Sequence, residues 1–192
     1  SILLTPKTLY ENLCFKYSKK SDNNYLSDIH TIGTKYTGVQ ESYKLLIAPN
    51  QKIDSSLHSK LLIVKINEKG HISSCGGNFT LGTVSTRVKE FGRFAITIDT
   101  IKPSVTLITE TSKLTKNSKL TFSISDNLSG IKSYSATIDG EWILSEYDRK
   151  KGKCSVSLSE IKNLKPGTHI LKLQVIDHRG NSNLQNIEIT IN

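Results

Sequence analysis

The sequence predicts an all-β protein made of two β-sandwich domains in tandem. The first indication is alternation of apolar and polar residues, as in Leu120, Phe122 and Ile124, whose neighbours in the chain are Thr and Ser. The second is the density of turns, because a turn signal follows each short run after about ten residues, as in sandwich proteins. Both patterns favour strands packed with one face against a core.

The turns predicted in the C-terminal half follow from the chemistry of their Asp, Asn and Gly residues. Residues 126–130 end the strand over 120–125, since Asp and Asn bond their own backbone and Gly accepts a positive φ. Asp139 and Gly140 form the dipeptide favoured in tight hairpins. The predicted strands of this half cover 120–125, 131–139, 141–147, 171–175 and 187–191, with a further turn at 177–181.

The pattern of the N-terminal half predicts a second set of strands. We predict strands at 9–17, 41–48, 60–66, 71–75, 82–88 and 93–99, and a short helical turn at 55–57. Residues 67–70 join two of these strands as a hairpin, and 76–78 form another turn. Residues 18–37 are polar and predicted to be a long loop, a kind of segment that often carries function.

A domain boundary is predicted at residues 100–104. Pro103 cannot donate to a strand ladder and biases Lys102 toward extended geometry. The domains therefore cover residues 1–100 and 101–192, joined by a short linker.

Composition excludes several classes of protein. The net charge is +9, with 13 basic and 8 acidic residues in 1–100 and 13 and 9 in 101–192. A nucleic-acid groove would concentrate this charge, so we expect no nucleic acid partner. A positive charge spread evenly over the chain favours solubility, and it is also compatible with a location near anionic envelope polymers. No apolar run reaches the about 18 residues of a membrane span, and the lack of Met indicates a fragment or a processed product.

The three cysteines are Cys14, Cys75 and Cys154, an odd number without metal-like spacing. Cys14 and Cys75 fall in one predicted domain and could form a disulfide if their Cβ atoms meet. The simpler interpretation makes all three small apolar fillers.

The order of several motifs resembles a known arrangement of domains. In the second half these are D-x-x-S-G-I from Asp126, D-G-x-W from Asp139, E-Y-D from Glu146, G-x-H-x-L-x-L from Gly167 and D-x-x-G-N from Asp177. In the first half they are P-x-x-L-Y-E-N-L-x-F-x-Y from Pro6, S-K-x-L-I-V from Ser59, G-G from Gly76 and F-G-x-F-x-I-x-I-D-T-I-x-P from Phe91. Together they are similar to the two domains that follow the peptidase domain in lysostaphin-like zinc metallopeptidases of Bacteroidetes-type bacteria.

This resemblance implies an immunoglobulin-like second domain and a non-catalytic role in the cell envelope. Such peptidases bind zinc through H-x-x-x-D and H-x-H, and none of the five His residues here stands in either motif. We therefore expect no enzyme activity, no catalytic residue and no cofactor in this chain, with zinc confined to a peptidase domain upstream of Ser1. That domain and peptidoglycan, or another envelope polymer, are the expected partners. The expected location is periplasmic, outer-membrane associated or secreted.

Two groups of residues are candidates for a binding surface. Arg149, Lys150, Lys151 and Lys153 form a basic run that either contacts anionic groups of a polymer or is a solvated turn whose lysines protect a sheet edge. Trp142 and Tyr147, with Tyr134, either form an exposed platform for sugars or pack in the core. For Trp142 the core is the expected place.

Calcium is an alternative role for the loop residues of the second domain. Asp126, Asn127, Asp177 and Asn181 carry oxygens that suit a hard cation. The preferred interpretation is that they close turns by accepting backbone N–H groups, so we predict no metal site.

Three functions follow as hypotheses. The chain is an accessory region that positions a peptidase or binds an envelope partner. Alternatively it is a stand-alone module for binding or adhesion to a glycan or a protein, or a structural spacer. No G-x-S-x-G motif or reactive Cys supports nucleophilic catalysis.

Overall fold

The computed structural model describes residues 1–10, 14–34 and 36–192. The chain divides into two compact units, Ser1–Thr100 and Ile101–Asn192. Each unit contains two antiparallel sheets, which confirms the all-β, sandwich class. Within the described ranges, no helix has the length and the apolar character needed to cross a membrane.

The described residues of the first unit form nine strands in sheets of order β1-β4-β8-β7 and β2-β3-β9-β5-β6. The strands are β1 (Ile2–Leu3), β2 (Tyr17–Lys20), β3 (Ile29–Ile32), β4 (Tyr43–Ile47), β5 (Leu61–Ile66), β6 (Ile72–Ser74), β7 (Asn78–Thr80), β8 (Thr83–Val88) and β9 (Gly92–Ile98), with a 3-10 helix over Ser55–Lys60. The predicted hairpin at 67–70 is confirmed, because β5 and β6 pair through Val64 and Ser74. The core between the sheets includes Tyr43, Phe91 and Phe94.

Two predictions for the first unit are wrong. The segment 18–37, expected to be a long loop, contains β2 and β3, which pair with each other. Ile29 and Ile32 are buried and anchor β3 in spite of the polar residues around them. The strand expected at 9–17 begins only at Tyr17, while Leu9 makes an isolated bridge to Val39. Residues 11–13 of that prediction, and Lys35 of the loop, lie outside the described residues.

The second unit has eight strands in sheets of order β10-β11-β15-β14 and β13-β12-β16-β17. The strands are β10 (Ser104–Leu107), β11 (Lys119–Ser125), β12 (Ile131–Ile138), β13 (Glu141–Ile143), β14 (Ser145–Asp148), β15 (Lys153–Ser157), β16 (Gly167–Asp177) and β17 (Ser182–Ile191), with a 3-10 helix over Leu158–Glu160. The immunoglobulin-like detail of this sandwich stays a prediction.

Alternation in the second unit matches the sequence pattern. Leu120, Phe122 and Ile124 of β11 are all buried in the core of this unit, whereas Ser123 and Ser125 are exposed. The hairpin between β12 and β13 is the predicted one. Asp139 has φ +50° and Gly140 φ +88°, and positive φ at both central residues is the geometry of a type I′ turn.

One predicted strand of the second unit is divided between the two sheets. Residues 141–147 were expected to be one strand, but β13 pairs with β12 and β14 pairs with β15. Leu144 lies between them and belongs to neither. β10 and β15 were not predicted, because their short runs carry at least as many polar as apolar residues.

All three cysteines are free thiols, so Cys14 and Cys75 do not pair in this structure. Cys154 fills the core of the second unit, as expected of an apolar filler, and burial raises the pKa of its thiol to about 11. Cys14 is exposed, so the same expectation is wrong there.

Loop carboxylates of the second unit close turns, as preferred in the sequence interpretation. Oδ2 of Asp126 accepts the N–H groups of Leu128 (3.1 Å) and Gly130 (2.7 Å). Oδ1 of the fully buried Asp177 accepts those of Arg179 (2.7 Å) and Asn181 (2.8 Å).

The same two carboxylates also lie close together. Oxygens of Asp126 and Asp177 approach within 4.8 Å. Oδ1 of Asp126 is buried and has no hydrogen-bond partner among the described residues. The calcium alternative for these loops stays a prediction.

We predict that Asp177→Ala lowers the free energy of unfolding of the second unit by about 2–3 kcal/mol, because buried N–H groups lose their acceptor. Asp148→Ala, in an exposed turn, is the control and should change it much less than Asp177→Ala does. Urea denaturation followed by circular dichroism measures both, and equal effects would contradict the buried turn as the cause.

Repeating the parent measurement with EDTA and with calcium tests the calcium alternative, which a calcium-dependent midpoint would favour.

Candidate functional site

Trp142 lies on the surface of the second unit, with 68% of its area exposed, so the expected burial in the core is wrong. β13 is a three-residue edge strand in which Ile143 points into the core and is 6% exposed. Because successive side chains of a strand face opposite sides, Trp142 must point outward. Its neighbour across the ladder is Thr137, too small to cover an indole.

A cleft of about 420 Å³ lies beside this indole. We call it the Trp142 cleft, and it is lined by Glu141, Trp142, Ile143, Leu144, Glu160, Ile161, Lys162 and Asn163. One wall comes from β13 and the residue after it, and the other from the end of the second 3-10 helix. The cleft thus combines a flat aromatic face with two carboxylates, an ammonium group and an amide.

The residues of the second wall were missed in the sequence. Residues 160–163 come about 20 positions after Trp142 and carry no motif. They reach the cleft because β15 returns antiparallel to β14 and the 3-10 helix Leu158–Glu160 then turns the chain. No local signal in the sequence encodes this approach.

Tyr147 does not join Trp142 in an exposed platform. It is partly buried and packs against the core of the second unit. Its ring meets that of Tyr134 edge to face, with centroids 5.5 Å apart. The predicted platform of three aromatic residues is therefore reduced to Trp142.

Three residues of the basic run, Arg149, Lys150 and Lys151, lie in the exposed turn between β14 and β15, whereas Lys153 is the first residue of β15. The Asp148 carboxylate closes this turn by accepting the N–H groups of Lys150 (3.0 Å) and Lys151 (3.1 Å), and these bonds help to lower its pKa. β14 is an edge strand without a lysine of its own, and both predicted roles of the basic run stay predictions.

The basic turn and the Trp142 cleft are not one surface. The four residues of β14 separate them, a rise of about 13 Å at 3.3 Å per residue. A single small ligand cannot contact both.

An ion pair holds the turn next to the Trp142 cleft. Nδ1 of His169 lies 2.6 Å from Oδ2 of Asp139, and its Nε2 lies 2.8 Å from the carbonyl oxygen of Lys165. Both partners are acceptors, so only an imidazolium that donates from both nitrogens satisfies them. The hydrogen bond to Asp139 raises the pKa of His169, and the same bond lowers the pKa of Asp139.

The imidazole rings of His30 and His58 also make contacts within the fold. Nδ1 of His30 lies 2.8 Å from the Tyr17 hydroxyl. The His58 ring packs on Phe79 with centroids 4.1 Å apart, and its Nε2 lies 3.1 Å from the carbonyl oxygen of Ile53. These contacts position rings in the first unit.

We predict a pH-dependent contribution of His169 to stability. Because its pKa is raised above 6.5 on folding, the contribution is complete below pH 6.5 and is lost as pH rises through the folded pKa. Because the pKa of Asp139 is lowered from 3.8, its contribution is complete above pH 3.8 and is lost as pH falls through its folded pKa. Since the Asp139 side chain is 49% exposed, we expect less than about 1 kcal/mol.

Urea midpoints measured from pH 5.5 to 8.5 for the parent chain and His169→Gln test this pH dependence. The difference between the two should shrink as pH rises above about 6.5, the ordinary pKa of His. His71→Gln, at an exposed residue, is the control and should follow the parent. A constant difference between parent and His169→Gln would show that the pair is not ionised as described.

Comparison with known proteins gives one family. The model of the Zu5-like domain matches residues 1–99, which is just over half of the chain and nearly all of the first unit. Among curated proteins, nothing matches the chain. The chain therefore belongs to the Zu5-like domain family.

Proposed function

We propose that the chain is the non-catalytic accessory region of a lysostaphin-like metallopeptidase of the cell envelope, and that it positions the enzyme by binding an envelope polymer such as peptidoglycan. The order of the motifs in both halves supports this proposal, together with the absence of H-x-x-x-D and H-x-H from the sequence. Zinc and catalysis then belong to a peptidase domain upstream of Ser1, and the protein acts in the envelope or after secretion.

The observation that carries the binding role is the exposed indole of Trp142. Leaving a large apolar side chain in water forfeits about 1.5–3 kcal/mol of burial free energy. On an edge strand beside a cleft, that area is available to a ligand. Tryptophan, like tyrosine and arginine, is enriched among the dominant contacts of protein interfaces.

The chemistry around the indole fits a saccharide unit of the polymer. The apolar face of a sugar ring packs on an aromatic ring, while its hydroxyls need donors and acceptors. Glu141, Glu160, Lys162 and Asn163 supply both kinds of group at the rim of the Trp142 cleft. The positive net charge adds a long-range attraction to anionic envelope polymers.

The same cleft favours a second candidate, a stand-alone module that binds a glycan or a protein. This candidate needs no peptidase in the same protein. The reading frame upstream of the Ser1 codon separates the two candidates. H-x-x-x-D followed by H-x-H supports the accessory region, and any other upstream sequence supports the stand-alone module.

We predict that the purified chain sediments with peptidoglycan sacculi and that Trp142→Ala weakens this binding at least about tenfold, which corresponds to 1.4 kcal/mol. Because Trp142 is exposed, the variant should unfold at the same urea concentration as the parent. Leu184→Ala is the matched control, since Leu184 is also apolar and 50% exposed in the second unit.

Three outcomes would contradict the proposal in different ways. Equal binding by Trp142→Ala and the parent would show that the Trp142 cleft is not part of the binding site. Absence of binding by the parent would support the hypothesis that the chain is a structural spacer. Release of soluble muropeptides by the purified chain alone would show that it is an enzyme.

A further inference from the structure

A second cavity, of about 430 Å³, lies in the first unit. We call it the Arg93 pocket, and it is lined by Thr31, Gly33, Lys65, Ile66, Asn67, Glu68, Lys69, Phe91, Gly92 and Arg93. It lies where β3, the turn after β5 and the start of β9 meet. It belongs to the first unit alone and is independent of the Trp142 cleft and of the function proposed above.

Three cations line this pocket. Lys65 is 24% exposed and forms an ion pair with Glu90, which does not line the pocket. Arg93 is partly buried, and within the described part of the chain no hydrogen bond or ion pair reaches its guanidinium group. Glu68 also lines the pocket, so the lining carries three cations and one carboxylate and is net positive. The guanidinium group of Arg93 therefore has donors available for a bound anion.

The floor of the pocket is apolar and rigid. Phe91 is 1% exposed and Ile66 is 4% exposed, so both side chains are held by the core. Gly33 has φ +56°, and a Cβ added there would lie 2.8 Å from the Phe91 ring. Only glycine therefore lets β3 approach the ring and keep this wall in place.

The size and the charges together define the ligand. A volume of about 430 Å³ lies in the range of small-ligand pockets and exceeds the need of a bare oxyanion. A guanidinium group presents a planar pair of donors that matches a carboxylate. An anion with a small organic body would satisfy the cations and also cover the apolar floor.

We propose that the Arg93 pocket binds the free carboxylate end of a short peptide. The carboxylate pairs with Arg93, with Lys69 close by on the adjoining turn, and the terminal side chain packs over Phe91 and Ile66. Lys65 stays with Glu90 and adds positive potential to the wall.

The test is a titration of the ¹⁵N-labelled chain with an N-acetylated alanine dipeptide that ends in a free carboxylate. The amide resonances of Gly33, Lys69 and Gly92 should shift with saturation. The same dipeptide with a C-terminal amide, and inorganic phosphate, are the matched ligands. Both should bind at least about tenfold more weakly than the dipeptide carboxylate, as expected when a charge-assisted hydrogen bond or the organic body is missing.

Arg93→Gln should weaken binding of the carboxylate at least about tenfold. Lys89→Gln is the control, because it removes the same charge from an exposed residue outside the pocket. Lys69→Gln, in an exposed turn, keeps the test valid if Arg93→Gln unfolds the unit, and should weaken binding more than Lys89→Gln does.

The proposal is overturned if no resonances of the pocket shift, or if Arg93→Gln and Lys89→Gln weaken binding equally. It is also overturned if phosphate or the amide binds as tightly as the carboxylate. In the first case the cations serve only the solubility of the unit. In the last case the organic body or the charge is irrelevant to recognition.

Discussion

Strand register is the constraint on which both units depend. Strands such as β4, β11 and β16 bury alternate side chains, and a slip by one residue would exchange the buried face for the exposed one. In the β12–β13 pair, Ala136 faces Ile143 and Thr137 faces Trp142. The type I′ turn at Asp139 and Gly140 sets that pairing, and the hydrogen bond from Ile170 N–H to Oδ1 of Asp139 (2.8 Å) ties the turn to β16. The exposed indole is thus a consequence of turn chemistry.

Sequence patterns predicted those parts of the fold that are encoded locally. The alternation of β11 and the turns at residues 126–130 and 177–181 each depend on a few neighbouring residues. β3 was not predicted because Ile29 and Ile32 are surrounded by polar residues. Both are buried, and Ile32 pairs with Gly92 of β9. The break at Leu144 escaped because nothing in 141–147 tells which sheet each half will join.

The candidate sites show the same division. Trp142 could be identified from the sequence as a residue of interest, but its exposure depends on the edge position of β13. The residues of the opposite wall of its cleft, 160–163, lie at the end of a 3-10 helix and just after it, and no sequence motif predicts this helix. The Arg93 pocket joins three separate strand ends, so its cations gave no signal as a group. Residues that meet only through tertiary structure cannot be grouped by spacing along the chain.

Trp142 is the sole tryptophan of the chain, and it already lies largely in water. Unfolding therefore changes the surroundings of the indole little, so its emission is a weak reporter of stability. A ligand that covers the indole removes it from water in the folded state. The protein thus carries a natural optical probe whose signal separates occupancy of the cleft from folding.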